Sequence, residues 1–171
     1  VIEEAVTTTN TTIERLGALK NTSGYFGHRG WALGWGLGVA LGAQLAWPDR
    51  PVLGILGEGA AMYGIQGLWT AAARKIPATF LICNNAQYQI LKICAAGMPL
   101  HHAGPSSYPE LDLVNPEIDF VSLARSLGVA AYRVTEPDEL AQRVRESFTA
   151  GEPLLLDVPI SRGKQERLNY G

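Results

Sequence analysis

The sequence predicts an α/β fold, a three-layer α/β/α arrangement around a mostly parallel central sheet. The first observation behind this prediction is that short apolar runs alternate with longer segments of helical periodicity along nearly the whole chain. The second is composition, since 47% of the residues are apolar and 18% are charged, as expected for a sheet covered on both faces. Strands that alternate with helices lie side by side in parallel, with the helices packed outside them.

The individual elements follow from these patterns. Apolar runs predict strands at residues 1–5, 52–56, 78–83, 129–134 and 154–158. Helical periodicity predicts helices at about 7–19, 31–46, 62–74, 87–95, 118–127 and 137–149. Residues 21–30 are rich in glycine and residues 96–117 contain four prolines, so both segments are predicted to be loops.

The length of the chain favours one domain followed by a short tail. At 171 residues the chain can bury a substantial core, which we assign to residues 1–160. Residues 161–171 are polar and are predicted to form a loose tail. Because residues 1–5 read as a strand already in progress, we expect the chain to be the tail of a longer protein or a domain cut from one.

Charge and apolar patterning argue against nucleic acid and membrane partners, and cysteine content bears on the compartment. A formal net charge of −2 gives no reason to expect nucleic acid or an anionic membrane. The apolar stretch at 31–47 is too short and too rich in glycine for a membrane span, and the first residues lack the features of a signal peptide. Cys83 ends an apolar strand and is predicted to be a buried free thiol, which fits a reducing cytoplasm.

Glycines and polar groups follow two of the predicted strands. Gly57-Glu58-Gly59 follows strand 52–56, and Asn84-Asn85 follows strand 78–83. A right-handed crossover brings both carboxyl ends to one edge of the sheet, where open parallel sheets bind ligands. A carboxylate and a carboxamide oxygen suit Mg²⁺, and glycines let backbone N–H groups approach a phosphate. The residues predict a site for a magnesium diphosphate; a glycine turn with solvated side chains is the alternative.

This arrangement resembles the signature of thiamine diphosphate (ThDP) enzymes, which is Gly-Asp-Gly, a spacer and Asn-Asn. Here 24 residues, 60–83, form the spacer, which fits the family. The segments Gly30-Trp31-Ala32-Leu33-Gly34 and 42–50 resemble the helix before the signature, and Leu68-Trp69-Thr70-Ala71-Ala72 is similar to benzoylformate decarboxylases in particular. Residues 1–160 thus resemble the C-terminal, diphosphate-binding domain of the 2-keto acid decarboxylase and acetolactate synthase superfamily. The family's Asp is replaced by Glu58.

The resemblance implies a metal site and a diphosphate site. The metal ligands would be the Glu58 carboxylate, the Asn85 side-chain oxygen and the Gln87 backbone carbonyl, together with diphosphate oxygens and water. The expected contacts to the cofactor are Thr7, Thr8, Gly57, Gly59, Ala60, Ala61 and Tyr88. Helix capping is the alternative role of the two threonines. Because Glu is one methylene longer than Asp, either the loop of Glu58 retreats slightly or metal affinity falls.

The same resemblance assigns residues around the reactive end of the cofactor. Leu33 would lie beneath the cofactor and force its bent shape, and the Trp31 carbonyl would accept a hydrogen bond from the 4′-amino group. His28 is the candidate catalytic residue, since an imidazole titrates near the working pH. The substrate pocket would be lined by Ile90, Leu91 and Cys94. From the residues alone, the pocket residues and Leu33 also fit a core, and His28 also fits a loop on the surface or at an interface.

The implied function is that of a ThDP- and Mg²⁺-binding domain of a 2-keto acid decarboxylase or carboligase. In this superfamily the carboxylate that contacts the aminopyrimidine ring belongs to an N-terminal domain, usually of a neighbouring subunit. We therefore expect a homodimer or homotetramer, and no catalysis by this chain alone.

Two other functions stay open at this point. An acetolactate synthase-like domain ranks below a benzoylformate decarboxylase-like one, because Leu91-Lys92-Ile93-Cys94 stands where acetolactate synthases carry a Gln-Trp pair. A non-catalytic binding or assembly domain would follow if Glu58 had abolished metal binding. An unrelated nucleotide-binding domain is disfavoured, because the sequence lacks the Gly-Lys-Ser/Thr of a P-loop.

Overall fold

A computed structural model describes residues 1–5, 9–17, 19–27, 32–98, 108 and 110–162, without the side chains of residues 9–11. These residues form a six-stranded sheet of order β2-β1-β3-β4-β6-β5, in which every neighbouring pair is parallel. The strands are β1 (Ile2–Glu4), β2 (Phe26–Gly27), β3 (Leu53–Gly57), β4 (Thr79–Asn84), β5 (Ala130–Arg133) and β6 (Leu154–Pro159). The predicted parallel sheet is confirmed.

Helices connect the strands and cover the sheet. They are α1 (Thr9–Leu16), α2 (Trp35–Ala46), α3 (Glu58–Ala61), α4 (Gly67–Arg74), α5 (Gln89–Ala96), α6 (Phe120–Ser126) and α7 (Pro137–Ala150). Helix α2 packs on β1 and β3, whereas α6 packs on β5 and β6. The three-layer α/β/α fold is therefore as predicted. None of the helices within the described ranges is long and apolar enough to cross a membrane.

The core lies along the three central strands. Phe80 and Ile82 of β4 are fully buried, and they share one apolar cluster with Leu56 of β3 and Leu155 of β6. Burial of each such side chain contributes about 1.5–3 kcal/mol relative to exposure. Cys83 is a buried free cysteine, as predicted. The two strands that lead into the predicted site are thus held by the most buried part of the molecule.

The structure corrects the predicted helix 62–74: residues 62–66 form turns after the short helix α3, and the regular helix α4 begins only at Gly67. The chain between α3 and α4 makes turn hydrogen bonds, including Gly64 N–H to the Ala61 carbonyl at 3.0 Å. A Cβ atom on Gly64 would lie 2.9 Å from the Gly34 carbonyl oxygen, so this turn packs directly on the backbone that precedes α2. The long-range contact replaces the regular helix that local periodicity predicts.

Two other boundaries also differ from the prediction. Helix α2 begins at Trp35 and not at residue 31, because Gly34 has a φ of 95°, outside the helical region. The predicted loop 21–30 contains β2, a strand of two residues that is too short to give a sequence pattern and is held by pairing with β1. Residues 163–171 lie outside the described residues, so the domain limit at 160 and the loose tail stay predictions.

The strand order places the predicted site at a reversal in the sheet. From β1 the chain crosses to β2 on one side, whereas from β3 it crosses to β4 on the other. Open sheets bind ligands at the carboxyl ends of strands where the order reverses in this way. Gly57 pairs with Cys83 in the β3–β4 register, so Glu58 and Asn84 leave adjacent strands at the same edge.

Candidate metal and diphosphate site

A cavity of about 310 Å³ opens at this edge of the sheet. Its walls come from the end of β3, the start of α3 and the segment 85–91, with Glu4, Leu33 and Tyr63 completing the lining. The cavity therefore brings together the two halves of the motif that the sequence separates by 24 residues.

Two side-chain oxygens converge on one backbone amide in this cavity. The N–H of Gln87 donates to Oε1 of Glu58 at 3.1 Å and to Oδ1 of Asn85 at 3.2 Å. Glu58 is only 4% exposed, and Asn85 and Gln87 are also buried. The carboxylate and the carboxamide oxygen that the sequence predicts as metal ligands thus lie side by side.

The backbone of Gln87 is oriented by a short antiparallel contact. Gln87 bridges to Asp112, and the flanking hydrogen bonds run from Tyr88 N–H to the Leu111 carbonyl and from Leu113 N–H to the Ala86 carbonyl, both at 2.9 Å. In a pair of this kind, the N–H and C=O of the bridged residue point away from the partner segment. The Gln87 carbonyl therefore turns to the side of its own N–H, towards Glu58 and Asn85.

Side chains also hold segment 111–113 against the backbone of Gln87. Lys92 donates to the side-chain oxygen of Gln87 at 2.8 Å and to Asp112 at 2.7 Å, and Arg162 pairs with Asp112 as well. The hydrogen bond and charge of Lys92 lower the pKa of Asp112. Segment 111–113 is thereby tied to the segment that carries the candidate ligands.

The two asparagines have separate roles. Asn84 donates to Asp157 at 3.0 Å and accepts from the Ala86 N–H at 3.0 Å, so it shapes the turn in which Ala86 has a φ of 52°. Asn85 instead donates through Nδ2 to Oε1 of Gln89 at 2.6 Å. Only Asn85 therefore presents its oxygen next to Glu58.

The electrostatics of the site favour a cation. Burial raises the pKa of Glu58, and the hydrogen bond from the Gln87 backbone opposes that shift. Among the described residues, no Lys, Arg or His forms an ion pair with Glu58. A buried carboxylate without a cationic partner is costly, and a bound divalent ion would remove that cost.

The chemistry of the donors narrows the choice of metal. No group of three or more His, Cys, Asp and Glu side chains that could hold a metal occurs in the part of the chain that the structure describes. Glu58, Asn85 and Gln87 instead offer a carboxylate, an amide oxygen and a backbone carbonyl. Such an incomplete oxygen set, with positions left for phosphate and water, suits Mg²⁺ and could hold it with a diphosphate.

Glycine brings the backbone close to the cavity. A Cβ atom on Gly59 would lie 2.9 Å from the ring of Tyr88, so only glycine lets the ring and this backbone meet. Gly57, Gly59 and Ala60 line the cavity and could offer backbone contacts to a diphosphate. Ala61 is buried and does not line it.

The other predicted site residues divide into three groups. Leu33 is 46% exposed and lines the cavity, as do Tyr88, Ile90 and Leu91. Cys94 is an exposed free cysteine that does not line the cavity. The remaining predicted residues, Thr7, Thr8, His28 and Trp31, lie outside the described residues. The functional roles of all these residues stay predictions.

Three cavity residues were missed by sequence reasoning. They are Glu4, Tyr63 and Gln89. The carboxylate of Glu4 accepts hydrogen bonds from the N–H groups of Gly34, Trp35 and Gly36 at 2.6, 3.3 and 2.8 Å, which satisfies the start of α2. The sequence signal for Glu4 was the pair of consecutive acids, Glu3 and Glu4, in an apolar strand. Buried carboxylates need partners, so such a pair indicates polar contacts to another segment.

Comparison with known proteins defines the family. The family profile described as "Thiamine pyrophosphate enzyme, C-terminal TPP binding domain" matches residues 6–158, where thiamine pyrophosphate is another name for ThDP. The chain therefore belongs to the family of thiamine pyrophosphate enzymes, and it contains their C-terminal cofactor-binding domain. The resemblance drawn from the sequence is confirmed.

Individual relatives include decarboxylases and synthases. Over 158 residues the chain is 36% identical to the benzoylformate decarboxylase of Pseudomonas aeruginosa, which covers 92% of the chain and 28% of that protein. It is 30% identical over 145 residues to the acetolactate synthase large subunit of Parasynechococcus marenigrum, covering 81% of the chain and 23% of that protein. The chain thus spans less than a third of the curated relatives it matches.

A solved structure agrees with these relatives. The ThDP-dependent 4-hydroxybenzoylformate decarboxylase of Rhodococcus jostii RHA1 superposes with a TM-score of 0.81 at 34% identity. The match covers 96% of this chain and 30% of that chain. The fold of this domain is therefore that of the corresponding part of a ThDP enzyme.

Proposed function

We propose that this chain binds the diphosphate of ThDP through Mg²⁺, as part of a 2-keto acid decarboxylase or carboligase of the benzoylformate decarboxylase type. The single observation that carries the proposal is the convergence of the Glu58 and Asn85 oxygens on the Gln87 amide at the carboxyl edge of the sheet. Family membership supports the cofactor, and the oxygen donors support the metal.

Each part of the cavity then has a role. Glu58, Asn85 and the Gln87 carbonyl hold Mg²⁺, and the backbone of Gly57, Gly59 and Ala60 borders the diphosphate. Thr7, Thr8 and Ala61 are assigned to the diphosphate by family resemblance alone. The bound cofactor supplies the carbanion and the electron sink that decarboxylation of a 2-keto acid requires.

The apolar side of the cavity serves orientation and exclusion of water. By family resemblance, Leu33 would support the cofactor from below, and the Trp31 carbonyl would accept a hydrogen bond from its amino group. Tyr88 packs on Gly59, while Ile90 and Leu91 present apolar surface to a small 2-keto acid. Cys94 lies outside the cavity lining. His28 is the residue that we assign to proton transfer.

Catalysis requires a second domain. In the relatives the matched segment is less than a third of the protein, so most of each relative lies elsewhere. We assign to an N-terminal pyrimidine-binding domain the carboxylate that contacts the aminopyrimidine ring. That domain comes from the same or a neighbouring subunit of a cytoplasmic homodimer or homotetramer. We call this chain together with that domain the assembled protein.

Acetolactate synthesis is the second candidate activity. It is supported by the match to a protein described as a "Putative acetolactate synthase large subunit" of Mycobacterium tuberculosis, which is 42% identical over 77% of the chain, against 36% over 92% for the benzoylformate decarboxylase. The assembled protein would be assayed for release of aldehyde from benzoylformate and for formation of acetolactate. Efficient acetolactate formation without aldehyde release would assign the chain to the synthases.

Thermal unfolding of the assembled protein with ThDP, in the presence and absence of Mg²⁺, tests the metal site. A ligand at a concentration of 100 Kd stabilises the folded state by about 2.7 kcal/mol. For a unit of about 150–250 residues that corresponds to a rise in Tm of roughly 5–11 °C, and the rise should be smaller in the larger assembled protein. Glu58→Ala should abolish the rise, and Glu58→Asp should keep or increase it. Glu146→Ala, on the exposed face of α7, is the control.

Two results would contradict the proposal. One is a Glu58→Ala variant whose Tm rises with ThDP and Mg²⁺ as much as that of the parent. The other is a parent protein that shows no rise at all, which would favour a non-catalytic assembly domain that has lost metal binding through Glu58.

A further inference from the structure

Gln89 contacts the one asparagine whose oxygen faces Glu58. Gln89 is the first residue of α5 and is 8% exposed. Its Oε1 accepts a hydrogen bond from Nδ2 of Asn85 at 2.6 Å, a short bond within a buried environment. Gln89 also lines the cavity, so it lies beside the candidate metal ligand that it contacts.

The two ends of the Asn85 carboxamide are fixed by different partners. The Gln87 N–H can only donate, so it requires the oxygen of Asn85 on its side. The Gln89 oxygen can only accept, so it requires the nitrogen of Asn85 on the other side. Rotating the carboxamide by half a turn would place two donors against each other at Gln87, and it would place two acceptors against each other at Gln89 as long as the Gln89 carboxamide keeps its own orientation.

This orientation matters for a metal. A cation binds the oxygen of a carboxamide and is repelled by its NH₂ group, because the amide nitrogen carries donors only. If the carboxamide turned over, Glu58 would be left as the sole side-chain ligand next to an NH₂ group. Partners behind a metal ligand commonly determine metal affinity in this way.

We propose that Gln89 is a positioning residue for the Mg²⁺ site, acting through Asn85. It holds the carboxamide with its oxygen towards Glu58 and so maintains two side-chain oxygen ligands. This inference rests on the proposed function, because it requires that Asn85 ligates the metal. It extends the proposed Mg²⁺ site to Gln89, a residue that makes no bond to the metal itself.

The test measures Mn²⁺ binding to the assembled protein with ThDP by electron paramagnetic resonance, with the ion standing in for Mg²⁺. Gln89→Met removes the acceptor at similar size and should weaken Mn²⁺ binding about 10–100-fold. Gln89→Glu keeps an acceptor at the same position and should bind Mn²⁺ within about threefold of the parent, well short of the 10–100-fold loss. Gln89→Ala replaces Gln89→Met if the latter does not fold.

A matched control separates positioning from general stability. Gln44 is also a buried glutamine, and it bonds to the Arg50 carbonyl at 3.1 Å and the Val52 N–H at 3.2 Å, on α2 and away from the cavity lining. Gln44→Met should lower Tm without changing Mn²⁺ affinity. A structural role for Gln89 would make the two Met variants behave alike.

Replacing Asn85 by Asp provides a second readout. A carboxylate has oxygens at both ends, so its orientation no longer decides whether an oxygen meets the metal. In the Asn85→Asp background, the effect of Gln89→Met on Mn²⁺ affinity should shrink from about 10–100-fold to a few-fold. An equal effect in both backgrounds would overturn the positioning role.

The outcomes distinguish this inference from the proposed function. If Glu58→Ala and Asn85→Ala leave Mn²⁺ affinity unchanged, the metal site itself is wrong. If those variants lose binding while Gln89→Met keeps it, only the role of Gln89 is overturned. Loss of binding in both Gln89→Met and Gln89→Glu would also overturn it, because the acceptor would then not be the property that matters.

Discussion

Glu4→Gln should destabilise the protein, because the buried Glu4 carboxylate satisfies three backbone N–H groups at the start of α2. Oε1 of Glu4 accepts from the Gly34 and Trp35 N–H groups at 2.6 and 3.3 Å, and Oε2 accepts from the Gly36 N–H at 2.8 Å. Glu4 is 1% exposed, so water does not replace a lost bond. A glutamine keeps one acceptor oxygen, and its NH₂ group must face at least one N–H donor.

The size of the effect follows from these contacts. In the better orientation the glutamine oxygen takes the place of Oε1, and the Gly36 N–H loses its partner. An unsatisfied buried donor costs about 1–3 kcal/mol. Removing a negative charge from a helix N-terminus costs roughly a further 0.3–1 kcal/mol. The expected loss is therefore about 1.3–4 kcal/mol, or roughly 3–16 °C in Tm.

Urea unfolding monitored by circular dichroism measures this loss. Asp119→Asn is the matched control, since Asp119 caps α6 by accepting from the Ser122 N–H at 2.9 Å but is exposed. An Asn caps a helix about as well as an Asp, so the control should change stability by less than about 0.5 kcal/mol. If Glu4→Gln is as stable as the parent, the account of how α2 begins is wrong.

Three further predictions concern the cofactor, pH and assembly. Leu33→Ala in the assembled protein should lower turnover by up to about 100-fold while changing ThDP affinity little, because it disturbs geometry and leaves the diphosphate contacts intact; equal losses in turnover and affinity would refute this. Burial raises the pKa of Asp157, so its protonated form adds stability that is present in acid and lost as pH rises through the raised pKa. Asp157→Asn should therefore gain stability relative to the parent between acidic and neutral pH in urea titrations, and a constant difference would contradict this. Leu45 and Trp69 are 66% and 62% exposed on α2 and α4, so this chain alone should self-associate in sedimentation experiments, and Leu45→Glu with Trp69→Glu should reduce it; a monodisperse parent would count against an apolar partner surface.

The sequence by itself determined the class of fold and the meeting of the two motif halves. Strand alternation and the handedness rule for crossovers are local or chiral rules, and they predict that Glu58 and Asn85 follow strands whose carboxyl ends lie at one edge of the sheet. That β3 and β4 are neighbours is decided by the strand order. The observed register, with Gly57 opposite Cys83, confirms that placement. Such rules hold whatever the rest of the chain does.

Only the tertiary structure decided the details that orient the ligands. The bond from the Gly34 N–H to Glu4 joins residues 30 positions apart, and the break between α3 and α4 depends on Gly64 packing against Gly34. The direction of the Gln87 carbonyl depends on segment 111–113, which joins it from a region without sequence periodicity. These features arise from the requirement that buried polar groups find partners, and those partners are chosen by packing between distant segments.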